Sequence, residues 1–152
     1  MIPKHLRQRI GFLTLIPAVL GLMGCVPGLS LAGGVSYHEP TGSKTGSAGY
    51  IWRGTFKTRK EGADIEVELD GKSNGDCDVS FGFTVPLRNN WYCGAKAIAH
   101  EDDSALEAGG GAFVGRRKKA GPGYVHIRAG ANGFESDDAE FNAQLSYELL
   151  PQ

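Results

Sequence analysis

From Tyr50 onward much of the chain alternates between apolar and polar residues. The clearest run is Ala63 to Asp70, where Ile65, Val67 and Leu69 share one face and Glu66, Glu68 and Asp70 the other. Cys77 to Val85 repeats the pattern, with Val79, Phe81, Phe83 and Val85 opposite Asp78, Ser80, Gly82 and Thr84. A period of two is the signature of a strand with one dry and one wet face. The same reading predicts strands at Tyr50–Phe56, Trp91–His100, Ala112–Gly115, Tyr124–Ala129 and Glu140–Leu150. Pro86 interrupts the ladder because it has no N–H, and Asn89-Asn90 suits a turn. Glu101–Gly111 and Gly130–Asp138 read as two long loops, and Arg116–Lys119 as a charged turn.

About seven strands over roughly 100 residues is the count expected of a β-sandwich. The predicted fold class is therefore all-β, a single antiparallel β-sandwich of jelly-roll type spanning residues 50–152. The 23 glycines agree with a turn-rich β domain rather than a helical one.

The first residues change the picture of compartment. Lys4, His5, Arg7 and Arg9 precede an apolar run from Ile10 to Met23, the order of a secretory signal peptide. Pro17 and several glycines interrupt that run, which argues against a membrane-spanning helix. Two processing sites compete. Small residues in Ser30-Leu31-Ala32 suit cleavage after residue 32, and Leu22-Met23-Gly24-Cys25 is similar to a lipobox that would lipidate Cys25. The organisation expected is a signal peptide at 1–32, a Gly/Ser/Thr-rich linker at 33–49 and the β domain thereafter.

Three of the 16 basic residues and none of the 17 acidic ones fall in the first 32 positions. The remainder carries 13 against 17, a net charge of −4. That argues against nucleic acid as a partner. In either mature form Cys77 and Cys93 remain as a pair, and an exported chain favours a disulfide between them. Closing such a loop would stabilise by roughly 3 kcal/mol.

The order of elements resembles the bacterial pre-peptidase C-terminal domain, a small sandwich attached to secreted enzymes. Gly54-Thr55-Phe56, Ile65–Leu69, Asp76–Val79, Pro122–Ile127 and Leu145–Leu149 carry that likeness, which supports fold more than function. The cysteine pair is not part of that family's pattern, and no peptidase is attached.

Candidate chemistry is sparse. There is no Gly-x-Ser-x-Gly elbow and no His-Glu-x-x-His. His126 serves as a base only if a serine and a carboxylate meet it in space; otherwise it is a polar residue on a solvent face. Asp70–Asp78 gathers oxygen ligands but lacks an EF-hand pattern, so calcium is the metal to consider, with no cofactor required. Asp102, Asp103, Asp137 and Asp138 lie in the two long loops, and loops at one end of a sandwich are where recognition sits. Two neighbouring strands running the same way would bring these loops together. Arg116–Lys119 reads as a soluble hairpin tip or an anion contact. Trp52 keeps the parity of the core, whereas Tyr92 has that of an exposed ring. The functional expectation is an exported, non-enzymatic binding module of the bacterial cell envelope, periplasmic, extracellular or lipid-anchored through Cys25. Its expected partner is an envelope protein or glycan. A small hydrolase and a purely structural envelope lipoprotein are the alternatives.

Overall fold

The computed structural model describes residues 28–42, 44–57, 62–102 and 105–149. Eight strands follow one another along the chain: β1 Leu29–Pro40, β2 Ser47–Phe56, β3 Asp64–Lys72, β4 Cys77–Pro86, β5 Trp91–Glu101, β6 Leu106–Ala120, β7 Gly123–Phe134 and β8 Ala139–Leu149. Each pairs antiparallel with the next, and β8 pairs with β1, from Leu31↔Leu149 to Pro40↔Glu140. The sheet is thus a closed barrel, not a two-layered sandwich. Closure leaves no strand edge unpaired.

An even number of strands places the start of β1 at Leu29 and the end of β8 at Leu149 at one mouth, here called the terminal end, with the β2–β3, β4–β5 and β6–β7 connections. The opposite mouth carries the other four, including the loops at Asp102 and Asp137-Asp138, and is called the acidic end.

The turns are local consequences of sequence. Asn89 and Asn90 take left-handed backbone at φ 58° and 64° in a short 3-10 turn after Leu87. Gly121 takes φ 59° at the first position of the two-residue β6–β7 loop, where a side chain is disfavoured. Other glycines serve the interior instead. A Cβ on Gly94 would stand 2.4 Å from the Phe113 ring, and one on Gly115 would stand 2.4 Å from that of Tyr92. These positions stay bare so that a neighbouring strand's aromatic ring fits inside a narrow barrel.

Several sequence expectations change. Gly33–Pro40 belongs to β1 and Ser47–Gly49 to β2, so this stretch is barrel wall rather than linker. β1 begins at Leu29, upstream of the expected cleavage site. The two long loops shrink, because β6 runs through Gly109-Gly110-Gly111 and β7 extends to Phe134. Arg116–Lys119 lies within β6, not in a turn.

The largest change is which face is inside. Val79, Phe81 and Phe83 point outward, with Phe81 60% exposed, while Asp78, Ser80 and Thr84 point into the lumen and are buried. The same inversion holds for Ile65, Val67 and Leu69 against Glu66, Glu68 and Asp70. An eight-stranded barrel has an interior just wide enough for side chains to fill, and here mostly polar ones fill it, beside Ile51, Tyr92, Ile98 and Phe113.

Candidate functional site

Two surfaces carry chemistry: the outer wall and the lumen. The wall is apolar over most of its height. Val35, Tyr50, Ile65, Val67, Val79, Phe81, Phe83, Ile127, Phe141 and Leu145 all stand exposed on it. β4 from Cys77 to Val85 runs roughly 26 Å along the strand, the length of a strand that crosses a bilayer at a tilt of about 45°. Outward charges occur only toward the rims, with Glu39 and Glu101 at the acidic end and Arg116 and Lys118 at the terminal end. Such a belt on a closed sheet has the height and polarity of a membrane-spanning wall.

The lumen is built from opposite charges on facing strands. At the acidic end, His38 Nε2 lies 2.7 Å from Asp70 Oδ2 and its Nδ1 3.0 Å from Glu140 Oε1. Only a ring carrying both protons can donate to both carboxylates. Lys72 Nζ sits 3.1 Å from Asp78 Oδ2 and 3.1 Å from Glu140 Oε2. His100 Nδ1 approaches Asp78 Oδ1 at 2.6 Å, and Asn132 Nδ2 donates to Glu140 Oε1 at 2.8 Å.

At mid-height Glu68 on β3 ties strands together. Arg53 Nε of β2 donates to its Oε2 at 2.9 Å, and Lys96 Nζ of β5 to its Oε1 at 3.2 Å. Gln144 Nε2 of β8 donates to the same Oε1 at 2.9 Å. Arg128 of β7 pairs with Glu66 at 2.9 Å, and its guanidinium lies 3.9 Å from the centre of the Phe113 ring. At the terminal end Glu148 accepts from Ser30 Oγ and pairs with His126 Nε2 at 2.8 Å, while Tyr92 OH lies 3.1 Å from His126 Nδ1. A cavity of about 20 Å³ beside Thr55, Glu66 and His126 is little more than the space of one water molecule.

Comparison with solved structures shows the fold. A de novo designed transmembrane β-barrel aligns over 82% of this chain and 98% of its own, with a TM-score of 0.56 and 11% identity. The crystal structure of Neisserial surface protein A aligns over 80% of this chain and 96% of its own, with a TM-score of 0.54 and 10% identity. No protein-family model matches the sequence. No curated protein matches it either.

The expected site residues fall as follows. Cys77 and Cys93 are free, so the expected disulfide is not formed. The register explains why: Cys77 pairs with Glu101 at one end of the β4–β5 hairpin and Cys93 with Val85 near the turn. The cysteines are therefore separated by nearly the height of the barrel, far beyond the roughly 7 Å that a disulfide tolerates between Cα atoms. Cys25 and Asp103 lie outside the described residues.

Asp102, Asp137 and Asp138 do share one mouth, because β5 and β7 run in the same direction. Lys44 Nζ, 2.6 Å from Asp138 Oδ2, partners them there. That hydrogen bond holds the Lys44 ammonium above the ordinary lysine range.

His126, expected on a solvent face, is buried in the lumen, as is Tyr92, expected to be an exposed ring. Trp91, one residue away, is outward. Ser30 and His126 both bond Glu148 and not each other, so the hydroxyl on the histidine is that of Tyr92 and not the serine a triad would need. Ligand atoms of His38, Asp78 and Glu140 lie within 4.8 Å of one another, a spacing suited to a metal ion. The Lys72 ammonium already supplies the cation between those two carboxylates.

Sequence reasoning missed the lumen network. Its signal was the mixture of Arg53, Lys72, Lys96 and Arg128 with Glu66, Glu68, Asp70, Asp78, Glu140 and Glu148 on polar strand faces. A solvated face has no need of that complementarity.

Proposed function

We propose that the chain is an integral membrane β-barrel of the bacterial outer membrane, acting without catalysis through its wall and its acidic mouth. One observation carries the reading: most of the large apolar residues face outward while paired charges face inward, with Ile51, Tyr92, Ile98 and Phe113 the inward exceptions. In water that arrangement would leave Phe81, Phe141 and Ile127 unburied around the whole circumference, far beyond the apolar patch a soluble monomer tolerates. In a bilayer it satisfies every backbone group within a closed sheet and places aliphatic side chains against lipid. Both neighbours in the comparison share the fold. On this reading the membrane is reached by the strands themselves and needs no lipid on Cys25. The packed lumen favours an anchoring or recognition role over transport. The acidic mouth, bearing Asp102, Asp137 and Asp138, is the surface offered to an envelope protein or glycan.

Cell fractionation tests this. The native chain is expected in the outer-membrane pellet after a carbonate wash, and its band on a gel is expected to shift when the sample is boiled. Folded protein recovered from the soluble periplasmic fraction without detergent overturns the reading.

A further inference from the structure

The outer wall is not uniform around its circumference. β3 and β4 carry Ile65, Phe81 and Phe83, whereas the next strands carry Ala95 and Ala97 on β5 and Gly110 and Ala112 on β6. The register places these at matched heights: Phe83↔Ala95↔Ala112 at one level and Phe81↔Ala97↔Gly110 at the next. The result is an outward trough of about 500 Å³, with Phe81 and Phe83 as one bank and Ala95, Ala97 and Gly110 on its floor.

Following the same two strands toward the terminal end leads through Cys93 and Val114 to Trp91 and Arg116, which are paired across the ladder. The Arg116 guanidinium lies 5.8 Å from the Trp91 ring centre. Lys118 is the next outward position on β6, and Arg88 lies in the adjoining turn. Among the described residues, none of these three cations enters an ion pair. From Gly110 to Arg116 is roughly 20 Å of strand. At a tilt of about 45° that is a depth of roughly 15 Å, one leaflet of the hydrocarbon core.

We infer that the β5–β6 face holds one anionic glycerophospholipid, with an acyl chain in the Phe81–Gly110 trough and the phosphate at Arg116 and Lys118. The inference rests on the membrane reading above. Two separate features select this occupant. The trough is apolar and lies at the depth of a lipid chain, and the unpaired cations lie at the depth of its headgroup. Trp91 marks the boundary between them, as aromatic rings do at membrane interfaces. The opposite rim carries Glu39 and Glu101 on the wall and repels the same phosphate.

The two tryptophans of the chain make the test direct. A W52F variant leaves Trp91 as the reporter, and a W91F variant leaves Trp52, which is outside the trough. Each is refolded in phosphatidylcholine vesicles containing a minor fraction of lipid brominated near the headgroup, either phosphatidylglycerol or phosphatidylcholine. Trp91 is expected to see an enrichment of brominated phosphatidylglycerol of at least about fivefold, the effect of a single basic residue, with two cations in place, while Trp52 is quenched alike by both lipids. R116Q/K118Q is expected to abolish the preference, and A97F, which fills the trough, to reduce it with the cations intact. Equal quenching of Trp91 by the two lipids, with Trp52 quenched normally, overturns the lipid site and leaves the membrane reading standing. Quenching of neither tryptophan overturns both.

Discussion

Glu68 shows how much one residue carries in this molecule. It is 3% exposed and faces cations on three other strands, Arg53, Lys96 and Arg128. A buried ion network is weak grounds for net stability, because desolvation opposes the attraction between the charges. Removing one member is different: without Glu68, Lys96 loses its carboxylate, Arg53 keeps only Glu66 at 3.9 Å, and Glu66 is left to face Arg53 and Arg128 together. Glu68→Ala is therefore expected to destabilise the barrel by about 3–5 kcal/mol. Denaturant unfolding in detergent micelles, followed by tryptophan fluorescence, measures it. A loss below about 1 kcal/mol, the scale of an exposed pair, shows that the lumen charges are solvated.

The strand is the scale at which inside and outside are assigned. On β8 Glu140, Asn142, Gln144, Ser146 and Glu148 are buried, whereas Phe141, Leu145 and Leu149 stand exposed. Leu145 sits between Val35 of β1 and Ile127 of β7, near the middle of the wall. Leu145→Arg is expected to cost about 2–4 kcal/mol in lipid vesicles, the penalty of a cation at the bilayer midplane. Lys118→Arg at the rim is expected to be neutral. Refolding equilibria of the two variants in the same vesicles make the comparison. Equal stabilities show that Leu145 does not meet hydrocarbon. β1 matters at this scale too: Leu31 and Ala32 pair with Leu149 and Glu148, the contacts that close the barrel. Cleavage after residue 32 would remove both from the strand.

For the whole molecule, closure with an even strand number puts the start of β1 at Leu29 and the end of β8 at Leu149 at the same mouth, the terminal end. On the outer-membrane reading proposed above, the terminal end is expected to face the periplasm and the acidic mouth to face outward. An epitope inserted at Ser136 is expected to be labelled on intact cells, and a tag at the C-terminus only after permeabilisation. The reverse pattern inverts the orientation and moves Arg116 and Lys118 to the outer leaflet.

Much of the secondary structure was legible in the sequence. Alternation located strands that match β3, β4, β5 and β8 within a few residues, and Asn89-Asn90 was read as a turn. Asp102 and Asp137-Asp138 do share a mouth because β5 and β7 run the same way, but these strands are not the expected neighbours, since β6 lies between them. The cysteine pair was not legible, since hairpin register alone separates Cys77 from Cys93. Nor were the ends of β6 and β7, because Gly109–Gly111 and Arg116–Lys119 have a loop's composition and enter strands only when ladders on both sides hold them. Above all, alternation names two faces and cannot say which is enclosed. Phe81 beside Ser80 reads the same in a sandwich and in a barrel. Pairing β1 with β8 decides it, because ring closure encloses one face, and Glu68 then meets Arg53, Lys96 and Arg128 across a lumen that no local pattern describes.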